Sequence, residues 1–371
     1  MNITANVMGK AGYTSLLPLS CQVPTFLPSP SGNVSAQGGA PTVDLDDDDL
    51  RNRAQRLVNI LYWTATTCAN QDGMQDTNTL KVFIAPEFYF RKAADHEITG
   101  RQYSDSTSYG SYPESSRYAL AEALYSTIHG CALFKDWIIV AGSICSKLPD
   151  VPGEPMSLLN TAIMLRGLRD QMDDAAPYIL MEKHYISNID GPPASMHANL
   201  NPTTPYFFRI YSDQGRNKVI RGMNNIVWWD DMRVGLEVCL DHSQQIVHFA
   251  TDYIGTLVGI ENSALDLQLI TSCGMSICNP AVAVGDGRLV MLTDGMNYGV
   301  NSAGLPEPRR LQLGRYDAAS QQIQPVDPDN FSFMPLPPTA AYCIDYAGLG
   351  TGLVQGIWTT KKPLPLRESQ P

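Results

Sequence analysis

Apolar residues in this chain gather into short unbroken runs set between polar, turn-rich stretches, and the runs alternate with segments of helical spacing. Lys81-Val82-Phe83-Ile84-Ala85, ended by Pro86, reads as a strand buried on both faces, since a short continuous apolar run suits a sheet covered on both sides. Trp137 to Ser143, Ala162 to Leu165, Tyr178 to Met181, Met232 to Cys239 and Leu267 to Ile270 read the same way, with further strands near Ala281 to Val284 and Leu289 to Leu292. The runs at 162–165 and 178–181 flank a polar, turn-forming stretch and are expected to pair as neighbours. Helical spacing marks Leu50 to Leu61, Ser115 to Phe134 and a stretch ending near Gly255. The carboxylates of Asp44 to Asp49 precede the first of these and suit the positive end of a helix dipole.

This alternation predicts one α/β domain with a layered sheet over residues 46–300. Residues 1–45 read as an irregular arm holding one edge strand near Ser15 to Leu17. Residues 301–371 read as an irregular extension packed on the domain or on a partner subunit, with one strand near Ala341 to Tyr346. Ile189 to Asn225 is too long and polar for an ordinary connection and reads as a functional loop or an insertion, and Ala93 to Pro113 reads as a second long loop.

Composition narrows the function classes. Of 371 residues, 44% are hydrophobic and 17% charged, as in a globular chain, and the net charge of −11 repels phosphate backbones, so nucleic-acid binding is disfavoured. No apolar run reaches the roughly 20 residues of a membrane-spanning helix and no secretory leader is visible, which points to a cytoplasmic protein without a membrane partner. The eight cysteines are scattered through apolar stretches and read as reduced thiols. The close pair Cys273 and Cys278 has no second pair beside it, so no metal is expected.

Three reactive side chains stand at the ends of predicted buried strands, where α/β folds carry their active groups. Glu87 follows Phe83-Ile84-Ala85-Pro86 and precedes Phe88-Tyr89-Phe90, an apolar setting that raises a carboxyl pKa towards that of a general base. Lys183 closes a strand within Met181-Glu182-Lys183-His184, where an ammonium can neutralise a developing oxyanion. Cys239 closes another within Val238-Cys239-Leu240-Asp241-His242, presenting a thiol at a helix start with the Leu240 N–H beside it. Phe88, Tyr89, His184, Asp241 and His242 are the neighbouring candidates for the pocket. A second arrangement, in which His242 activates Cys239 as in papain-like enzymes, is open but weak at a spacing of three residues.

The phrases Val82-Phe83-Ile84-Ala85-Pro86-Glu87-Phe88, Glu182-Lys183-His184 and Val234-Gly235-Leu236-Glu237-Val238-Cys239-Leu240-Asp241 resemble, in this order, the three motifs of the nitrilase superfamily of carbon–nitrogen hydrolases. The resemblance covers about residues 50–300. It implies an α-β-β-α sandwich, a homodimer or higher homo-oligomer, no cofactor, and an acyl-enzyme chemistry with Glu87 as base, Cys239 as nucleophile, and Lys183 with the Leu240 N–H as oxyanion donors. The implied substrate is a small amide or nitrile. Leu240-Asp241 after the cysteine favours an amide, because members that act on nitriles tend to have Trp-Glu there. Many members carry a second glutamate after the lysine, but this chain has none from His184 to Leu236, and Asp190 is the nearest substitute as an accessory acid. True nitrilase activity, acyl transfer to an amine, and a catalytically silent binding or assembly protein are the alternatives. Replacing Glu87, Lys183 or Cys239 singly is expected to abolish turnover and leave the fold intact.

Overall fold

The structure, a computed structural model, describes residues 12–26, 31–93, 109–148, 158–168, 178–185, 187, 224–258, 263–296, 298–300, 306–308, 311–345 and 353–367. Among the described residues the two main sheets hold nine and six strands, and the order of the longer ones explains where the reactive side chains lie. In the first sheet β1 (Ser15–Gln22), β2 (Thr79–Ile84) and β3 (Trp137–Lys147) run parallel, and β4 (Leu158–Arg166) and β5 (Tyr178–Glu182) follow antiparallel. The second sheet repeats the plan. There β6 (Ile226–Trp229) is antiparallel to β7 (Met232–Val238), which runs parallel to β8 (Leu265–Ser272) and β9 (Val284–Asp294). The chain beyond residue 311 adds β10 (Gln312–Asp317) and β11 (Gln322–Pro325) to the second sheet, then β12 (Phe331–Pro335) and β13 (Gly356–Thr360) beside β1 in the first.

Side-chain alternation along these strands assigns the layers. Leu80, Val82 and Ile84 of β2 pack with Val234, Leu236 and Val238 of β7 and with Leu267, Leu269, Leu289 and Met291, forming a shared core between the sheets. The opposite faces of β1 to β3 send Leu17, Leu19, Phe83 and Ile139 under α1 (Asp48–Thr67) and α2 (Ser116–Ile128). On the far side of the second sheet, Val290 and Leu292 pack with Val247 of α4 (Ile246–Val258). A short helix, α3 (Leu240–Ser243), follows β7 directly. The result is the α-β-β-α sandwich expected from the motifs. Among the described residues no helix is long and apolar enough to cross a membrane.

Some local expectations are corrected. The run at 15–17 belongs not to an edge strand but to β1, held between β2 and β13. Of the two strands expected at 281–284 and 289–292 the first does not form: Ala281 ends a 3-10 turn over Asn279–Ala281, and Val284 opens the single strand β9 that holds 289–292. Residues 341–345 form turns, although Tyr342, Cys343 and Ile344 are buried in the core under α1. The second helix stops at Ile128, before Gly130 with its positive φ. Within the acidic run, Asp47 caps α1 by accepting from the Leu50 N–H and pairs with Lys92, Asp48 pairs with Arg51, and Asp49 with Arg53.

One glycine makes the approach to Glu87 feasible. Gly142 lies where the β3–β4 register shifts, at φ 81°, and an added Cβ would stand 2.4 Å from the Pro86 carbonyl oxygen and 2.9 Å from Tyr89 Cβ. Strand β3 thus bends just where the segment after β2 crosses it. Gly142→Ala should cost roughly 2–4 kcal/mol, combining the left-handed backbone with a clash against main chain; a urea unfolding midpoint close to the wild-type value would contradict this.

Candidate active site

Glu87 is bound from several directions. Its N–H donates to the Ser272 carbonyl at 3.3 Å, its carbonyl accepts from Thr25 Oγ1 at 2.6 Å, and its Oε1 accepts from Asn160 Nδ2 and Lys183 Nζ, each at 2.8 Å. The Glu87 and Lys183 side chains are both fully buried, so residues 96 positions apart form an ion pair out of water. Asn160 carries both partners, because its carbonyl also accepts from the Lys183 N–H at 2.8 Å. It is a site residue that sequence reasoning missed; the available signal was its place one strand over from the lysine, opening the apolar run of β4.

Phe88 follows in the left-handed region, φ 64°, with its N–H donating to Ser143 Oγ at 2.9 Å. Its ring lies between two cations, 5.7 Å from Lys183 Nζ and 4.2 Å from the Arg91 guanidinium carbon. Arg91 is 1% exposed rather than solvated. The same backbone reversal sends Tyr89 away from the site and into the core beneath α1, where its ring meets Phe90 edge-on.

Cys239 ends β7 at φ 49° and ψ −110°, a conformation that costs a non-glycine residue on the order of 1–3 kcal/mol and persists only when its surroundings over-determine it. Its N–H donates to the Thr271 carbonyl at 2.9 Å, and its carbonyl accepts from the His242 N–H at 2.9 Å. Thr271 and Ser272, at the end of β8, thus hold the backbones of Cys239 and Glu87 side by side. Leu240 is the first residue of α3, where a helical N–H has no acceptor within its own helix. Cys273 follows, its thiol pushed well above the ordinary range by burial and by the Glu87 carboxylate.

Asp241 ties the Cys239 turn to the Lys183 turn. Its buried carboxylate accepts from the His184 N–H at 2.9 and 3.0 Å and from the Tyr185 N–H at 2.8 Å. Burial pushes this carboxyl up to about 8, against the pull of the two N–H groups and of Lys183. The His184 ring turns to Asn225, with Nε2 3.1 Å from Oδ1. His242 does not face Cys239 as a base: Nδ1 lies 2.6 Å from Glu237 Oε2, and Nε2 accepts from the Cys278 N–H at 3.0 Å, which commits both ring nitrogens. Asp190 lies outside the described residues.

No protein-family model and no curated protein matches the chain. Among solved structures it is similar to a CN-hydrolase superfamily protein of Xanthomonas campestris, at 13% identity and TM-score 0.39, over 84% of this chain and 86% of that one. It is also similar to a nitrilase-superfamily amidase of Nesterenkonia AN1, at 10% identity and TM-score 0.39, over 97% of this chain and 94% of that one. A third is a glutamine-dependent NAD+ synthetase of Acinetobacter baumannii, at 10% identity and TM-score 0.35, over 84% of this chain and 48% of that one.

The burial of the ion pair revises the expectation that Lys183 can be replaced without cost to the fold. Lys183→Met strands a carboxylate in the interior and should cost about 3–5 kcal/mol, and adding Glu87→Gln should restore much of it; unfolding midpoints of the single and double variants decide. Asp241→Ala should cost about 1–3 kcal/mol for each backbone N–H left unpaired. Folding raises the Asp241 carboxyl from 3.8 to about 8, so its contribution is complete below about pH 4 and is lost as pH rises through 8. The wild-type protein should therefore lose stability across that window relative to Asp241→Asn, as unfolding midpoints at several pH values would show.

Proposed function

We propose that the protein hydrolyses a non-peptide carbon–nitrogen bond in a small amide through a cysteine acyl-enzyme. The observation that carries this reading is the fully buried Glu87–Lys183 pair, held 2.8 Å apart and joined through the end of β8 to the strained turn at Cys239. The sequence phrases around these residues resemble the motifs of carbon–nitrogen hydrolases, and the fold sets all three at strand ends.

The chemistry follows from the donors and acceptors. Glu87 takes the Cys239 thiol proton as Sγ attacks the amide carbon, and the carbonyl π electrons move onto oxygen. The oxyanion is met by the Lys183 ammonium and the Leu240 N–H, in a setting where water does not screen them. Collapse breaks the C–N bond as Glu87 returns its proton to the leaving nitrogen, releasing ammonia or an amine and leaving a thioester. Glu87 then takes a proton from water, whose oxygen attacks the thioester carbon, and the acid leaves as the thiol is restored. His242 takes no part, since both its nitrogens are engaged elsewhere.

The deciding measurement is ammonia release from a panel of small amides, ureido acids and nitriles by the wild-type protein and by Cys239→Ala. The variant keeps the Glu87–Lys183 pair, so its unfolding midpoint should stay near wild type while release disappears. Release that persists in Cys239→Ala removes the cysteine from the mechanism. Absence of release from every compound, with no acyl-enzyme seen by mass spectrometry, overturns the hydrolase reading and favours a binding protein.

A further inference from the structure

A second buried cluster stands behind the nucleophile turn, on the other face of β7. Val234, Leu236 and Val238 point between the sheets, so Glu237 points outward beneath α4. Its carboxylate accepts three donors: His242 Nδ1 at 2.6 Å and Gln268 Nε2 at 2.8 Å on Oε2, and the Val247 N–H in the first turn of α4 at 3.0 Å on Oε1. Glu237, His242 and Gln268 are all fully buried. Gln268 in turn accepts from the Ala283 N–H at 2.9 Å and donates to the Ala281 carbonyl at 3.1 Å.

This cluster dictates a protonation state. The Cys278 N–H donates to His242 Nε2 at 3.0 Å, so that nitrogen carries a lone pair, and the single proton of the neutral ring sits on Nδ1 and is given to Glu237. Glu237 precedes Cys239 by two residues and His242 follows it by three, so their 2.6 Å contact closes across the strained residue from both sides. Strand, turn, the start of α4 and the 278–283 segment are locked to one another at the point where the backbone is least relaxed.

We propose that the Glu237–His242 pair is a positioning device that holds Cys239 Sγ and the Leu240 N–H in their reactive arrangement, beyond any share it has in stability. The inference rests on Cys239 being the reactive thiol, yet it can be tested without a substrate.

The probe is iodoacetamide, with labelling of Cys239 followed by peptide mass spectrometry so that the other cysteines do not interfere. His242→Asn keeps a donor at the Nδ1 position towards Glu237 and loses the Cys278 contact. His242→Gln keeps an acceptor for the Cys278 N–H and loses the contact with Glu237. Labelling of His242→Asn should stay within about threefold of wild type, whereas His242→Gln and Glu237→Gln should fall at least about tenfold. Leu57→Ala, on the buried face of α1, serves as the stability control and should lower the melting temperature without slowing labelling. Equal labelling of the two His242 variants, or a loss no greater than Leu57→Ala shows at a matched melting temperature, overturns the proposal. A wild-type Cys239 that iodoacetamide fails to label overturns it together with the hydrolase reading. Turnover retained by Cys239→Ala removes that reading alone.

Discussion

Taking an ammonium and a carboxylate out of water costs more than their attraction returns unless the geometry is good and the remaining donors and acceptors are met, and the Glu87–Lys183 pair shows how the fold meets that condition. Asn160 serves both partners, Thr25 and Ser272 bind the Glu87 backbone, and Phe88 turns its ring towards the ammonium. These contacts come from the ends of β2, β4, β5 and β8 and from the segment after β1, so strands of both sheets must end at one level for the pair to exist. The interior of the sandwich makes no such demand, because apolar packing between the sheets is non-directional and tolerates sliding.

The sheets are accordingly joined by a polar seam at this end, and by the buried Arg166–Asp230 pair at the other, with apolar packing between. Ser20 Oγ meets Thr293 Oγ1 at 2.8 Å, Gln22 donates to the Asp294 carbonyl at 2.7 Å, and Thr271 Oγ1 donates to the Ala85 carbonyl at 2.9 Å. Each bond joins a strand of the first sheet, or the residue that follows it, to a strand of the second. Asp294 closes the seam, with its carboxylate accepting from Ser272 Oγ and from the N–H groups of Gly274, Met275 and Met296. Hydrogen bonds are directional and costly to leave unmade in the interior, so this seam and the Arg166–Asp230 pair together set the relative height of the sheets, and with it where Cys239 of the second sheet stands relative to Glu87 and Lys183 of the first.

Several parts of this arrangement were legible in the sequence for an identifiable reason. Strands covered on both faces leave continuous apolar runs, and the polar residue that ends each run marks a strand end, which is how Glu87, Lys183 and Cys239 stand out. The position of β1 inside the first sheet was hidden, because strand order depends on pairing with β13, more than 300 residues away. The direction of Tyr89 was hidden for a local reason: Phe88 adopts a left-handed backbone with no glycine to announce it, and the alternation after Glu87 is displaced. Asn160 and Glu237 were hidden for a third reason. A polar residue within an apolar strand signals that it has a buried partner, but not which one.

Two of the buried carboxylates around the Cys239 turn, Glu87 and Glu237, differ in the partners that hold them. Glu87 shares its site with a cation, so in the proposed chemistry a proton moving from the Cys239 thiol to its carboxylate transfers negative charge to sulfur, and the charge of the pocket beside Lys183 is conserved. Among the described residues, Glu237 is held instead by two side-chain donors and by an N–H in the first turn of α4, where the helix dipole favours an anion. In the proposed chemistry the first carboxylate exchanges a proton beside Lys183, while the second ties strand, turn and helix together around Cys239.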